Sequence, residues 1–239
     1  MSTLQQVKAE LRTFVNAQRA EVSLRFFKTG RGQYGEGDQF LGLKVPDIRK
    51  VAGKYVNLDF PDIHTLLTSP FHEERFLALA ILTKRFAKSD SKEREKIYHF
   101  YMDHTDSINN WDLVDVSAPR IVGEYLYPLG SRFWSVLPEM AKEDHLWRNR
   151  IAIMATFAFI RNKTFTPTFE IAEILLNHEH DLIHKAVGWM LREVANRELA
   201  PVEKFLRKHC KTMPRTMLRY TIEKFPEELR LDYLKNICR

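Results

Sequence analysis

The chain has 239 residues, 44% of them hydrophobic and 28% charged, with a formal net charge of +6. No apolar run approaches the roughly 18 residues that a membrane-spanning helix needs, and the charged, amphipathic start is unlike a signal peptide. Nine glycines and ten prolines are few for a turn-rich all-β fold, and the basic balance favours a polyanionic partner such as nucleic acid. We expect one continuous domain over residues 1–239.

The predicted elements are helical almost throughout. Leu4, Val7 and Leu11 recur at steps of three and four residues, which predicts a first helix over 3–18. Pro46 and Asp47 suit the first turn of the third helix. The further helices are predicted over 20–28, 46–55, 60–68, 71–87, 91–104, 110–127, 132–140, 144–162, 167–176, 179–196, 198–209, 214–223 and 226–236.

Two features interrupt this pattern. Pro119 lies inside the predicted helix 110–127 and has no N–H for the carbonyl of Asp115, so we expect a bend just after the acidic turn. The glycine-rich segment 29–38 is a long loop, and without a surrounding βαβ unit it is not a nucleotide-binding fingerprint. A plain connection, a contact with a DNA backbone and a lid are all open for this loop.

The longer helices recur every 30 to 40 residues, at 71–87, 110–127, 144–162 and 179–196. This spacing is typical of stacked antiparallel helix pairs of the HEAT-like type. The predicted fold is therefore all-α, a right-handed α-solenoid. A basic position that recurs at Arg75, Arg150 and Lys185 is expected to line its concave face.

The chain is organised around the segment 109–115, which places an indole and two acids in one helical turn. Trp111 and Asp115 are four residues apart and therefore share a helix face, where an aromatic ring and a carboxylate can surround a cation. The segments 146–150 and 185–189 supply candidate companions, each with a tryptophan and basic residues.

Several of these residues have a structural alternative. Asp115 could simply be an acid near a helix start, with Asn110 or Asp112 as the N-cap. We assign Trp147 and Trp134 to packing, while Arg150 could be a surface charge and Arg192 could pair with Glu193. The run of histidines over 178–184 lacks metal-site spacing and is interpreted as a helix start, so we expect no metal.

The cysteines, Cys210 and Cys238, are far apart and belong to no C-x-x-C pair. We expect two free thiols in a reducing compartment, and by default a cytoplasmic protein.

Five segments together resemble the AlkD-like DNA alkylation-repair glycosylases, a family built from HEAT-like repeats. Any one of them is weak, but Trp-Asp-x-x-Asp at 111–115 and Gly-Trp-x-Leu-Arg-Glu at 188–193 are fairly specific in combination. The five segments are 26–28, 40–46, 110–115, 147–150 and 185–193.

The resemblance implies a metal-free and cofactor-free enzyme that excises cationic N3- and N7-alkylated purines from double-stranded DNA. It assigns the chemistry to Asp115, the aromatic walls to Trp111 and Trp189, and a grip on the DNA backbone to Arg150. Phe26 replaces a tyrosine of the best-known members, so a hydroxyl contact is lost there. Further candidates for backbone contacts are Lys28, Arg148, Lys185 and Arg192.

Three functions are open at this stage: a monofunctional glycosylase acting as a monomer, a non-catalytic HEAT-like protein that binds DNA structure, and a protein-binding scaffold. The presence of Asp115, which some relatives have lost, favours the first. No lysine lies in the proposed cleft motif, which argues against a lyase activity.

Overall fold

The computed structural model describes residues 3–237, and within this range the chain is all-helical. An isolated parallel β-bridge joins Gln39 and Phe71. The described residues group into two compact units, divided between Ile121 and Val122.

The first unit contains seven α-helices among its described residues, followed by a π-helical turn at the division. They are α1 (Leu4–Arg12), α2 (Ala17–Phe26), α3 (Val45–Lys54), α4 (Phe60–Leu67), α5 (His72–Lys88), α6 (Ser91–Asp103) and α7 (Trp111–Ser117), with a 3₁₀ turn at Thr105–Ser107 and the π-helical turn at Pro119–Gly123.

The second unit begins with short helical turns and continues with longer helices. They are α8 (Glu124–Leu126), α9 (Val136–Lys142), α10 (Leu146–Arg161), α11 (Thr166–Ile174), α12 (Asp181–Ala195), α13 (Leu199–His209), α14 (Arg215–Thr221) and α15 (Glu227–Leu234), with 3₁₀ turns at Tyr127–Leu129 and Ser131–Phe133.

The first predicted helix is too long. Helix α1 ends at Arg12, and α2 begins five residues later at Ala17, because the Asn16 side chain accepts the backbone N–H of Arg19 at 2.9 Å and caps α2. The predicted first-turn proline of α3 is confirmed, and Asp47 lies in the same turn.

The predicted helix 110–127 is also broken, in the place where Pro119 predicts a bend. Helix α7 ends at Ser117, and a π-helical turn runs from Pro119 to Gly123 before α8. Proline cannot donate to the carbonyl one turn earlier, so the ladder of hydrogen bonds changes register there. The acidic turn therefore lies on a helix of its own.

Alternate helices pack on each other within each unit. In the first unit α1 packs on α3, α3 on α5, and α5 on α7; in the second, α10 packs on α12 and α12 on α14. The helices between them in sequence also pack on these helices, as α4 does on α5 and α11 does on α10. Stacked helix pairs are expected to pack in this order, while the repeat arrangement itself stays a prediction.

Two buried acids at the start of α5 fix the segments around it. Glu73 accepts the backbone N–H groups of Leu41, Gly42 and Leu43 at 2.9, 2.7 and 3.2 Å. Glu74 pairs with Lys8 and Arg12 of α1. Burial alone would raise the pKa of Glu74, but these cations lower it overall. The loop that carries Phe40 is thus tied to α5.

Cys210 is 3% exposed and is disulfide-bonded, so the prediction of a free thiol is wrong for this residue. Spacing along the chain does not reveal which cysteines approach each other in a fold. Cys238 lies outside the described residues. Within residues 3–237, no helix has both the length and the apolar character to cross a membrane.

Candidate functional site

The site begins at the cap of α7. Asn110 is fully buried and is the N-cap, and its side-chain oxygen accepts the backbone N–H of Trp111 at 2.8 Å. Trp111 is then the first helical residue, and Asp115 follows one turn later. Both side chains are half-buried. The predicted spacing of an indole and a carboxylate on one helix side is confirmed for this pair.

An aromatic cluster holds Trp111 in place. Phe27 stacks on the indole with ring centroids 5.5 Å apart and planes at 19°, and Phe40 stacks on Phe27 at 5.0 Å. Phe26 contacts Trp111 through a ring edge at 5.9 Å and is 60% exposed. Phe27 and Phe40 belong to the segments that carry the resemblance, but the sequence did not single them out as site residues.

A buried histidine lies beneath this cluster. The His72 ring packs against Phe27 and Phe40 at 4.7 and 4.8 Å. Its Nε2 lies 2.8 Å from an oxygen of Asp112, and its Nδ1 lies 3.4 Å from an oxygen of Asp38. Burial opposes the charged form, but the charge and hydrogen bond of Asp112, with the bond to Asp38, raise the pKa of His72 to about 9. The ring is therefore an imidazolium at neutral pH.

Asp38 joins this histidine to two further polar groups. Its carboxylate accepts Arg75 Nη2 at 2.6 Å and the Asn110 amide at 3.3 Å. Burial would raise the pKa of Asp38, but the hydrogen bond from His72 and the charge of Arg75 lower it overall. Arg75 is 4% exposed and is committed to this network, so the expectation that it lines an open face is wrong. Burial of its guanidinium against Asp38 is the reason.

Asp38 closes the glycine-rich loop, which gives that loop a structural role. A Cβ added at Gly35 would lie 2.4 Å from the Phe27 carbonyl oxygen, so the loop runs close to the aromatic cluster. A role of the loop at a DNA backbone or as a lid stays open.

The far side of α7 is anchored to α6. The Tyr101 hydroxyl and the Ser117 hydroxyl are 3.0 Å apart, and Ser117 donates to the Leu113 carbonyl. Burial raises the pKa of Tyr101, and the charge of Asp115 raises it further. Tyr101 is therefore neutral near Asp115.

The remaining predicted site residues, apart from Lys28, lie in the second unit. Trp147 is 8% exposed, which confirms its assignment to the core. Arg150 on the same helix is 4% exposed and donates to the Leu182 carbonyl at 2.6 Å. Trp189 on α12 is half-buried and its indole N–H donates to Glu193 at 3.2 Å.

Three of the predicted backbone-binding cations carry an acidic partner. Arg148 pairs with Glu143, Lys185 with Asp181, and Arg192 with Glu223. The alternative pairing of Arg192 with Glu193 is wrong, because Glu193 pairs with Arg197 instead.

Lys28 is exposed and has a left-handed backbone, with φ at +54°. The His180 ring accepts the Leu182 N–H and caps α12, as expected of a helix start. Among residues 3–237, no cluster of three or more His, Cys, Asp or Glu side chains is placed to hold a metal ion.

Fold and site together define a class: an all-helical protein whose half-buried Trp111–Asp115 pair can face a cationic ligand. The comparisons make this more specific. The family model described as DNA alkylation repair enzyme matches residues 7–225, and the chain belongs to that family.

A solved structure with a similar fold is a predicted DNA alkylation repair enzyme from Enterococcus faecalis. It is 13% identical, the match covers 89% of this chain and 97% of that chain, and the TM-score is 0.67. At this identity the likeness shows the fold alone. The comparison with curated proteins gives no match.

Proposed function

We propose that this protein is a monofunctional DNA glycosylase, which hydrolyses the N-glycosidic bond of N3- and N7-alkylated purines in double-stranded DNA. The observation that carries the proposal is the Trp111–Asp115 pair on α7, with the indole held by stacked aromatic rings and both side chains half-buried. Membership in the family of DNA alkylation repair enzymes supports alkylated DNA as the substrate.

The indole is suited to the charge of the lesion. Alkylation at N7 or N3 leaves the purine with a full positive charge, and a cation near an aromatic face gains about 0.5–2 kcal/mol. Phe26 and Phe27 extend the aromatic surface around Trp111, and Phe26 exposes most of its ring. A neutral base lacks this attraction, so the same contact favours the lesion over normal purines.

The carboxylate is suited to the sugar. A cationic base leaves without being protonated, so the reaction needs no general acid. An ionised Asp115 would stabilise an oxocarbenium-like sugar and orient a water molecule toward C1′, as carboxylates do in glycoside hydrolysis. Tyr101 stays neutral near it and adds no second negative charge, because burial raises the pKa of its hydroxyl.

The proposal also gives roles to residues outside α7. Trp189 is proposed as a further aromatic contact for the lesion. Arg150 is proposed as a backbone contact, for which its buried guanidinium would have to leave the Leu182 carbonyl. The cations Arg148, Lys185 and Arg192 would have to exchange a carboxylate for a phosphate, while exposed Lys28 would not. The packing of alternate helices within each unit supports stacked helix pairs of the HEAT-like type. The expectation of a cytoplasmic protein assumed free thiols in a reducing compartment, and the disulfide at Cys210 argues against that assumption.

The test is release of free base from duplex DNA that contains 7-methylguanine, at low salt with EDTA present. Asp115→Asn should lower the single-turnover rate by about ten-fold or more, because it removes the charge that stabilises the transition state. Asp103→Asn, which removes an exposed acid from α6, is the matched control and should leave the rate unchanged. If neither the wild type nor the variants release base but all bind DNA, the protein is the non-catalytic alternative.

A further inference from the structure

The residues on both sides of Trp111 are held by one side chain of α5. His72, the first residue of α5, places Nε2 2.8 Å from an oxygen of Asp112, which follows Trp111. Its Nδ1 lies 3.4 Å from an oxygen of Asp38, and the same carboxylate accepts the amide of Asn110, which precedes Trp111. The first turn of α7 is therefore fixed on either side of the indole.

The same imidazole contacts the ring on which the indole stacks. The His72 ring centroid lies 4.7 Å from that of Phe27 and 4.8 Å from that of Phe40, and Phe27 stacks on Trp111 at 5.5 Å. His72 is 3% exposed, so these contacts exclude water. One side chain thus bears on both the backbone that carries the indole and the ring that the indole faces.

Asp112 depends on this histidine for its position. One of its carboxylate oxygens faces His72, and the other accepts the backbone N–H of Leu113 at 2.8 Å. The Asp112 side chain is 16% exposed, so loss of the charged donor would leave an ionised group partly buried without its partner. The carboxylate would then turn toward water and move the first turn of α7, which carries Trp111 and leads to Asp115.

We infer that His72 is a positioning residue, which sets the orientation of the Trp111 indole through Asp112 and Phe27. This rests on the proposed function for the reaction at the indole, while the orientation itself does not depend on base release. Burial lowers the pKa of His72, but the charge and hydrogen bond of Asp112, with the bond to Asp38, raise it to about 9, so both ring nitrogens donate at neutral pH. The buried ring does not reach the DNA, so its effect on the reaction is indirect.

The first measurement is single-turnover release of 7-methylguanine as a function of enzyme concentration. His72→Gln should lower the maximal rate by about ten-fold or more, because a displaced indole and carboxylate no longer fit the reacting nucleotide. The enzyme concentration at half-saturation should stay within about two-fold of the wild type, since His72 makes no contact with DNA. The matched control is Phe86→Leu, which removes buried packing from the same helix about 21 Å away and should leave both values unchanged.

The second measurement observes the indole without DNA, by ¹⁹F NMR of protein that contains 5-fluorotryptophan at its four tryptophan positions. Trp111→Phe identifies the Trp111 resonance. His72→Gln should broaden or split this resonance, because the indole then has more than one orientation, while the three tryptophans of the second unit keep their lines. A single sharp Trp111 line in His72→Gln, or the same broadening in Phe86→Leu, would overturn the inference.

Asp112→Asn tests the route by which His72 acts. The single variant should change the rate and the Trp111 resonance in the same direction as His72→Gln, and the double variant should lose no more rate than His72→Gln alone. Losses that multiply would overturn the route through Asp112. If His72→Gln fails to fold, Asp112→Asn carries both measurements. If the wild type releases no base but the resonance still splits, the proposed function fails and the positioning role stands; base release by wild type and His72→Gln at equal rates has the opposite meaning.

Discussion

At the scale of single residues, His72 connects the parts of the site. Its imidazolium touches Asp112 in the first turn of α7, Asp38 at the end of the glycine-rich loop, and the rings of Phe27 and Phe40. Neither carboxylate is near it in sequence, since the separations are 40 and 34 residues. The charge at the centre of the site therefore depends on tertiary packing.

His72→Gln should make unfolding less sensitive to pH. The pKa of His72 rises from 6.5 to about 9 on folding, so its charge stabilises the fold below pH 6.5, and this contribution is lost as the pH rises toward 9. The wild type should exceed the variant by up to about 3 kcal/mol near neutral pH, and the difference should shrink at high pH.

Urea unfolding at several pH values measures this difference. His99→Gln, which replaces an exposed histidine of α6, is the control and should follow the wild type. A wild-type advantage over His72→Gln that stays constant from pH 6.5 to beyond 9 would show that His72 is not an imidazolium.

The same scale shows what the sequence could predict of the site. That Trp111 and Asp115 share one side of a helix could be predicted, because their four-residue spacing lies within one helix. His72, Asp38 and Asp112 were missed, because only the fold brings them together. Phe26 was chosen over Phe27, but the structure places Phe27 face to face with Trp111. Which of the adjacent residues Phe26 and Phe27 stacks on Trp111 depends on the backbone turn at Lys28, and the sequence does not reveal that turn.

At the scale of elements, the long helices were predicted well. Helix α10 was predicted over 144–162 and runs from Leu146 to Arg161, because its apolar pattern is continuous. The region around α7 was predicted less well, since the change to a π-helical turn at Pro119 and to 3₁₀ turns later depends on local hydrogen bonding. The caps at Asn16 and Asn110 fixed boundaries that periodicity alone left open.

Two glycine substitutions should have opposite effects on stability. A Cβ at Gly188 of α12 would lie 2.5 Å from the Tyr220 Cβ and 2.6 Å from the Met217 carbonyl oxygen. Gly188→Ala should therefore force α12 from α14 and destabilise the fold by about 1–3 kcal/mol. At Gly53 of α3 the added Cβ would lie 3.7 Å from the flexible end of Lys84, so Gly53→Ala should stabilise by about 0.5–1 kcal/mol.

Thermal and urea unfolding of the two variants check this pair. The account of close packing between α12 and α14 is wrong if Gly188→Ala is as stable as the wild type. Loss of stability in Gly53→Ala would show instead that α3 has less space than the structure gives it.

At the scale of the whole molecule, the sequence predicted the class and the family of the protein. The helical periodicity and the motif segments lie throughout the chain, and the family model matches residues 7–225. The state of Cys210 was not predictable, because thiol pairing depends on distances that spacing does not encode.

We propose that a positive charge on the base selects the substrate at Trp111 and Asp115. The most direct measurement compares single-turnover release of 7-methylguanine and of hypoxanthine, from duplexes of otherwise identical sequence, by the wild type and by Trp111→Leu. The wild type should release 7-methylguanine and little or no hypoxanthine. Trp111→Leu should lose about three-fold or more of the 7-methylguanine rate, as expected for one cation–π contact. Equal release of both bases by the wild type, or no effect of Trp111→Leu, would contradict the claim.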